Sequence, residues 1–142
     1  MERHSLAYVG VDIAKATLQV DAGDLFRGSI GNDAAAIGKA LEAIGKRVGR
    51  GTGIRVCYES TGTYGRTLRE TCGRLGVPTS TLNPMKVKRF HESGNRNQKT
   101  DPIDAAVIRR YAESWQPPED PPPDRKRDDL RELVSFRTAL AD

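Results

Sequence analysis

Four carboxylates in this sequence could hold a divalent metal: Asp12, Glu59, Asp101 and Asp104. Asp12 closes an apolar run, Leu6-Ala7-Tyr8-Val9-Gly10-Val11-Asp12, and Glu59 closes a second, Ile54-Arg55-Val56-Cys57-Tyr58-Glu59. Asp101 and Asp104 stand three apart in Lys99-Thr100-Asp101-Pro102-Ile103-Asp104-Ala105. That spacing, at the start of a predicted helix, would put both on one face. Hard cations take clustered oxygen ligands, and Mg²⁺ uses a few carboxylates together with substrate phosphates. A pair of such ions can clamp the attacking and leaving oxygens of a phosphoryl transfer. The chemistry this pattern suits is therefore Mg²⁺- or Mn²⁺-dependent phosphoryl transfer. Each acid alone has a plainer role, as a turn residue after a strand or as a helix N-cap. The joint pattern is harder to dismiss, because three separate places put acids at the ends of elements.

The elements that must position these acids are legible. Residues 6–12 and 16–21 read as two strands joined by the turn Ile13-Ala14-Lys15, and Leu25 to Ile30 as a third, edge-like one. Asn32 or Asp33 caps a helix to about Val48, with Ile37, Leu41, Ile44 and Val48 on one face. A fourth strand covers 54–59, and a helix follows from Tyr64 to Leu75, with Leu68, Cys72 and Leu75 inward and Gly76 after its end. Val77 to Leu82 is a fifth strand. Pro84 opens a helix to about Glu92. Another helix runs to about Ser114, capped by Thr100 or Asp101. Three antiparallel strands followed by βαβ crossovers predict an α/β fold, a mixed five-stranded sheet flanked by helices. That is a ribonuclease-H-like architecture.

Length and composition fit this reading. The chain has 142 residues, 37% hydrophobic and 30% charged, which suits one domain with an appended element. No apolar run approaches the roughly 20 residues of a membrane span. The N-terminus lacks an apolar signal region, so a cytoplasmic protein with no membrane partner is expected. Cys57 and Cys72 lack metal-ligand spacing and read as reduced core residues. His4 and His91 read as surface residues. The net charge of +4 is concentrated: residues 86–110 carry seven basic residues against three acidic. Lys86, Lys88, Arg89, Arg96 and Lys99 are therefore candidate contacts to a nucleic-acid backbone, running directly into Asp101 and Asp104. Five of the eight prolines fall within 115–123, predicting an extended spacer. Beyond it, Leu130, Leu133, Val134, Phe136 and Leu140 give a last helix an apolar stripe.

With those residues in view, the chain resembles the N-terminal domain of the DEDD insertion-sequence transposases. This is a family of RNA-guided bridge recombinases that also includes the pilin-gene invertase. The matching segments are Val9-Gly10-Val11-Asp12-Ile13-Ala14-Lys15, Tyr58-Glu59-Ser60-Thr61-Gly62-Thr63-Tyr64, Asn83-Pro84 and Lys99-Thr100-Asp101-Pro102-Ile103-Asp104-Ala105. The resemblance implies a domain similar to the Holliday-junction resolvase RuvC. It maps the family's four metal-binding acids onto Asp12, Glu59, Asp101 and Asp104 as the catalytic set. It also implies DNA as substrate, a structured guide RNA as partner, and self-association through a C-terminal coiled-coil arm. Family members continue into a domain with a catalytic serine, and no serine here matches it. The chain is thus expected to be a fragment, inactive alone in recombination.

The expected organisation is a RuvC-like metal-binding domain over 1–115, a proline-rich linker over 116–125, and the start of the helical arm over 126–142. Two alternatives keep a place: a stand-alone RuvC-like Holliday-junction nuclease, and a non-catalytic nucleic-acid-binding or oligomerisation module. An actin- or sugar-kinase-like ATPase begins with a similar strand, but it needs a second lobe that this length does not supply.

Overall fold

The computed structural model describes residues 5–60, 62–94 and 102–121. Strand β1 (Ser5–Ile13) is central, and β2 (Thr17–Asp21) returns antiparallel beside it. A 3₁₀ turn at Gly23–Leu25 then leads to β3 (Arg27–Gly31), which pairs with the far side of β2. Helix α1 (Ala34–Arg47) crosses back to β4 (Thr52–Glu59), parallel to β1. A 3₁₀ turn at Gly62–Gly65 and helix α2 (Arg66–Leu75) lead to β5 (Thr79–Leu82), parallel to β4. Helices α3 (Pro84–Gly94) and α4 (Ala105–Trp115) follow. The sheet order is β3-β2-β1-β4-β5. This is the mixed ribonuclease-H-like sheet that the element order predicted.

Alternation along the strands makes two cores. Val9 and Val11 of β1, Leu18 and Val20 of β2, and Val56 and Tyr58 of β4 face Ile37, Leu41 and Ile44 of α1 and Leu68 and Cys72 of α2. Cys57 of β4 and Leu82 of β5 face Val87 of α3 and Val107, Ile108, Tyr111 and Ala112 of α4, with Tyr8 packed alongside. Tyr8, Gly10 and Asp12 therefore share the α4 side of β1, and Cys57 and Glu59 the same side of β4. Both cysteines are buried and free. Burial pushes each thiol up to about 12, which keeps them unreactive.

The local signals are built as the sequence predicts at several ends. Asp33 caps α1 by accepting from the Ala36 amide at 2.8 Å. Gly76 ends α2 in the left-handed region at φ 70°. Two expectations fail. Leu75 is half exposed rather than inward; it is the last residue of α2, before the Gly76 cap. His91 is buried, because it lies on the α3 stripe that also carries buried Val87.

The start of the proline-rich segment is held against the sheet. Arg55 Nη1 donates to Pro117 O at 3.0 Å, and the buried Ser80 hydroxyl to Pro118 O at 2.8 Å. The Asp120 amide donates to Thr79 O at 2.7 Å. Its carboxylate accepts from the Thr81 amide and the Thr79 and Thr81 hydroxyls, each at 2.8 Å. Ordered contacts thus run to Asp120, covering the outer edge of β5, which would otherwise offer unpaired backbone groups. The arm expected over 126–142 lies outside the described residues.

Candidate metal centre and nucleic-acid face

Asp12 and Glu59 sit at the C-terminal ends of neighbouring parallel strands. The β1–β4 register pairs Val11 with Tyr58, so the two acids occupy the next position on each strand. Both face the side on which α4 packs. Ligand sites in α/β sheets favour these strand ends, since the loops diverge there and leave a crevice.

Gly10 brings the third acid into place. A Cβ there would lie 2.1 Å from Ala105 O and 2.6 Å from the Arg109 amide, so only glycine lets the first turns of α4 rest on β1. Asp12 lies two residues further along the same side, next to the α4 N-terminus. Asp104 is the N-cap of α4: its backbone is extended, and Oδ1 accepts from the Val107 amide at 3.0 Å. This corrects the predicted cap at Thr100 or Asp101. Helix α4 begins only at Ala105, after Pro102 and Ile103, and Ile103 packs onto the α4 core instead of entering the helix. The idea that Asp101 and Asp104 share one helical face therefore fails. Asp101 itself lies outside the described residues.

Among the described residues, no cation offsets the charge of this group. Burial raises the Asp12 carboxyl above the ordinary carboxylate range, and the charge of Asp104 raises it further. Burial likewise raises Glu59, with Asp12 adding to it. Glu59 Oε1 is buried with no hydrogen-bond partner. A buried carboxylate oxygen without a donor is costly, and a hard cation is the partner that would relieve it. On donor chemistry the residues fit Mg²⁺ or Mn²⁺. Among the described residues, though, no three acids are drawn together tightly enough to form a closed metal cluster. An open site is compatible with Mg²⁺, which commonly takes one or two carboxylates and completes its shell with water and substrate phosphates.

Among the candidate cations, Lys86, Lys88 and Arg89 are exposed on α3. Lys88 lies 4.0 Å from Glu92, a contact too exposed to tie it down. Arg96 and Lys99 lie outside the described residues. Sequence reasoning missed two features. One is the close approach of α4 at Gly10, which a glycine inside a buried strand signals. The other is Asn32, read only as a helix cap, which hydrogen-bonds to two different turns.

A 3-2-1-4-5 sheet with acids at the ends of its two central parallel strands defines a ribonuclease-H-like domain. Residues 9–142 match the family model of the IS110-type DEDD transposases, described as transposase, and the chain belongs to that family. No curated protein matches it. It is accordingly a transposase domain, a DNA-processing enzyme in general terms, of a family that typically uses a divalent metal. No helix among the described residues is long and apolar enough to cross a membrane.

Proposed function

We propose that this is the metal-binding half of a DNA recombinase, with Asp12, Glu59 and Asp104, joined by Asp101, as ligands for Mg²⁺ or Mn²⁺. The bound ion would supply charge neutralisation at the phosphoryl group undergoing transfer. The observation that carries the reading is the buried, partnerless Glu59 Oε1 beside Asp12. Asp104 contributes from α4 with the oxygen its cap leaves over. The glycine at position 10 keeps that helix close to the strand-end pair. Lys86, Lys88 and Arg89, with Arg96 and Lys99, contact the backbone of DNA or of a structured guide RNA. The nucleophilic serine of the family is not placed on any serine of this sequence. The helix predicted over 126–142 pairs with a second copy.

Mn²⁺ binding by calorimetry tests the centre. The wild type binds weakly, and Asp12→Asn/Asp104→Asn loses the site. Equal binding by both would refute the assignment. The nucleic-acid face is tested by salt titration. Each phosphate contact contributes a log–log slope of about −0.9 on duplex DNA or about −0.7 on single strands. Replacing Lys86, Lys88 and Arg89 with alanine should flatten the slope by roughly 2–3 units. An unchanged slope would make them a solvated face.

A further inference from the structure

Asn32 lies between β3 and α1 and belongs to neither. Its backbone amide donates to Ala16 O at 3.0 Å. Its side-chain Nδ2 donates to Ala14 O at 2.9 Å and to Tyr64 O at 3.0 Å, with Lys15 O a weaker third at 3.4 Å. The amide orientation follows from these partners, because the reverse would set an oxygen against carbonyl oxygens. Asn32 Oδ1 is buried and has no partner. That orphaned acceptor costs stability, so the contribution of the side chain rests on its donors.

The location of those acceptors matters more than their number. Ala14 and Lys15 form the turn that directly follows Asp12. Tyr64 lies in the turn that follows Glu59. The ladder joining β1 to β4 ends at Val11 and Tyr58, one residue before each acid. Past that point no ladder pairing joins the two strands among the described residues, and the Asn32 amide ties one turn to the other. The Ile13 side chain reaches the same junction: a Cβ at Gly65 would lie 3.3 Å from Ile13 Cδ1.

We propose that Asn32 is a positioning residue for the acid pair. Its amide clamps the turn after Asp12 to the turn after Glu59 and so sets the spacing at which the two carboxylates meet a divalent cation. The proposal rests on the reading of these acids as cation ligands. Partners that orient metal ligands from behind are worth about 10–100-fold in metal affinity.

The test uses the 142-residue chain and Mn²⁺ alone as probe, with Asn32→Ala, Asn32→Asp and Asn32→Gln beside the wild type and Asp12→Asn/Asp104→Asn. Asn32→Asp is the decisive variant. If only charge mattered, another carboxylate would tighten cation binding. A clamp predicts the opposite, at least a tenfold loss. Asn32→Gln keeps an amide and serves where the alanine variant does not fold, with a smaller loss expected. Asn32 variants that bind Mn²⁺ as the wild type does, while the double aspartate variant does not, would overturn the clamp and leave the cation site standing. Equal binding by the wild type and the double variant would overturn both. A second readout needs no metal. Amide hydrogen exchange in Asn32→Ala should accelerate together in the Ala14–Ala16 and Gly62–Gly65 turns, and acceleration in one turn or neither would overturn the clamp.

Discussion

Two carboxylate groups lie on the same side of the same sheet, and the chain treats them in opposite ways. Asp21 on β2 sits opposite Gly10 and is buried. It accepts from Arg109 Nε at 2.8 Å and from the Gly23 amide at 2.8 Å, and Arg27 approaches to 3.5 Å. Arg109 also pairs with Glu113 along α4. Among the described residues, Asp12 and Glu59, a short way along the strands, have no such cations, and Glu59 Oε1 has no donor. Burying an acid is tolerated when donors and opposite charge replace water. The Asp21 group meets that condition and reads as structural. In the Asp12 group, where Asp12 and Asp104 are exposed, Glu59 Oε1 is out of water and has no donor, and that contrast supports the cation proposed there.

Gly10 lies between the two groups, so enlarging it should disturb both. Gly10→Ala should cost about 3 kcal/mol, because the clash is with backbone atoms of α4 that cannot turn aside. It should also weaken Mn²⁺ binding as Asp104 moves away with the helix. Thermal melts and calorimetry on one sample measure both effects. A stable variant with intact Mn²⁺ affinity would mean that α4 does not depend on this contact.

Asp21→Asn separates the groups. Removing one partner of a mostly buried ion pair leaves Arg109 with Glu113 alone, at a cost of about 2 kcal/mol in urea melts. Mn²⁺ affinity of the folded chain should stay within about twofold, since independent sites add. A large fall in affinity would merge the two groups into one network.

The smallest effect has the opposite sign. The Asp12 and Glu59 carboxyl pKa values are raised in the folded chain. Their contribution to stability is therefore full below the ordinary carboxylate value of about 4 and is lost as pH rises through the folded value. At neutral pH, without metal, the ionised pair works against folding. Asp12→Asn should then raise the melting temperature by about 2–4 °C at pH 7. That gain should shrink as pH falls through the raised folded values, where the wild-type pair takes up protons. A destabilised Asp12→Asn at pH 7 would show that the carboxylate has a structural partner after all.

Much of the arrangement was legible because the signals are local. Alternation in Leu6 to Asp12, the 3–4 spacing of Ile37, Leu41 and Ile44, and Gly76 after Leu75 each depend on a few neighbouring residues. Where the reading failed, tertiary contacts decided. Local preference allowed Thr100 or Asp101 as the cap of α4, but the docking of Ile103 on the core moved the start to Ala105. The proline run read as a spacer, yet Pro117 to Asp120 line the edge of β5. Their partners Arg55, Ser80, Thr79 and Thr81 are distant in sequence.

The sequence by itself determined the strands, the helices, and the presence of acids where two central strands end, since periodicity and end residues are written into short stretches of chain. Only the tertiary structure decided which acids are neutralised and which are left bare. It alone showed that a missing Cβ at Gly10 brings Asp104 towards Asp12, and that Asn32 joins the two turns behind the acid pair. Those outcomes depend on through-space distance, and a linear pattern does not encode which carboxylate will find a cation within reach.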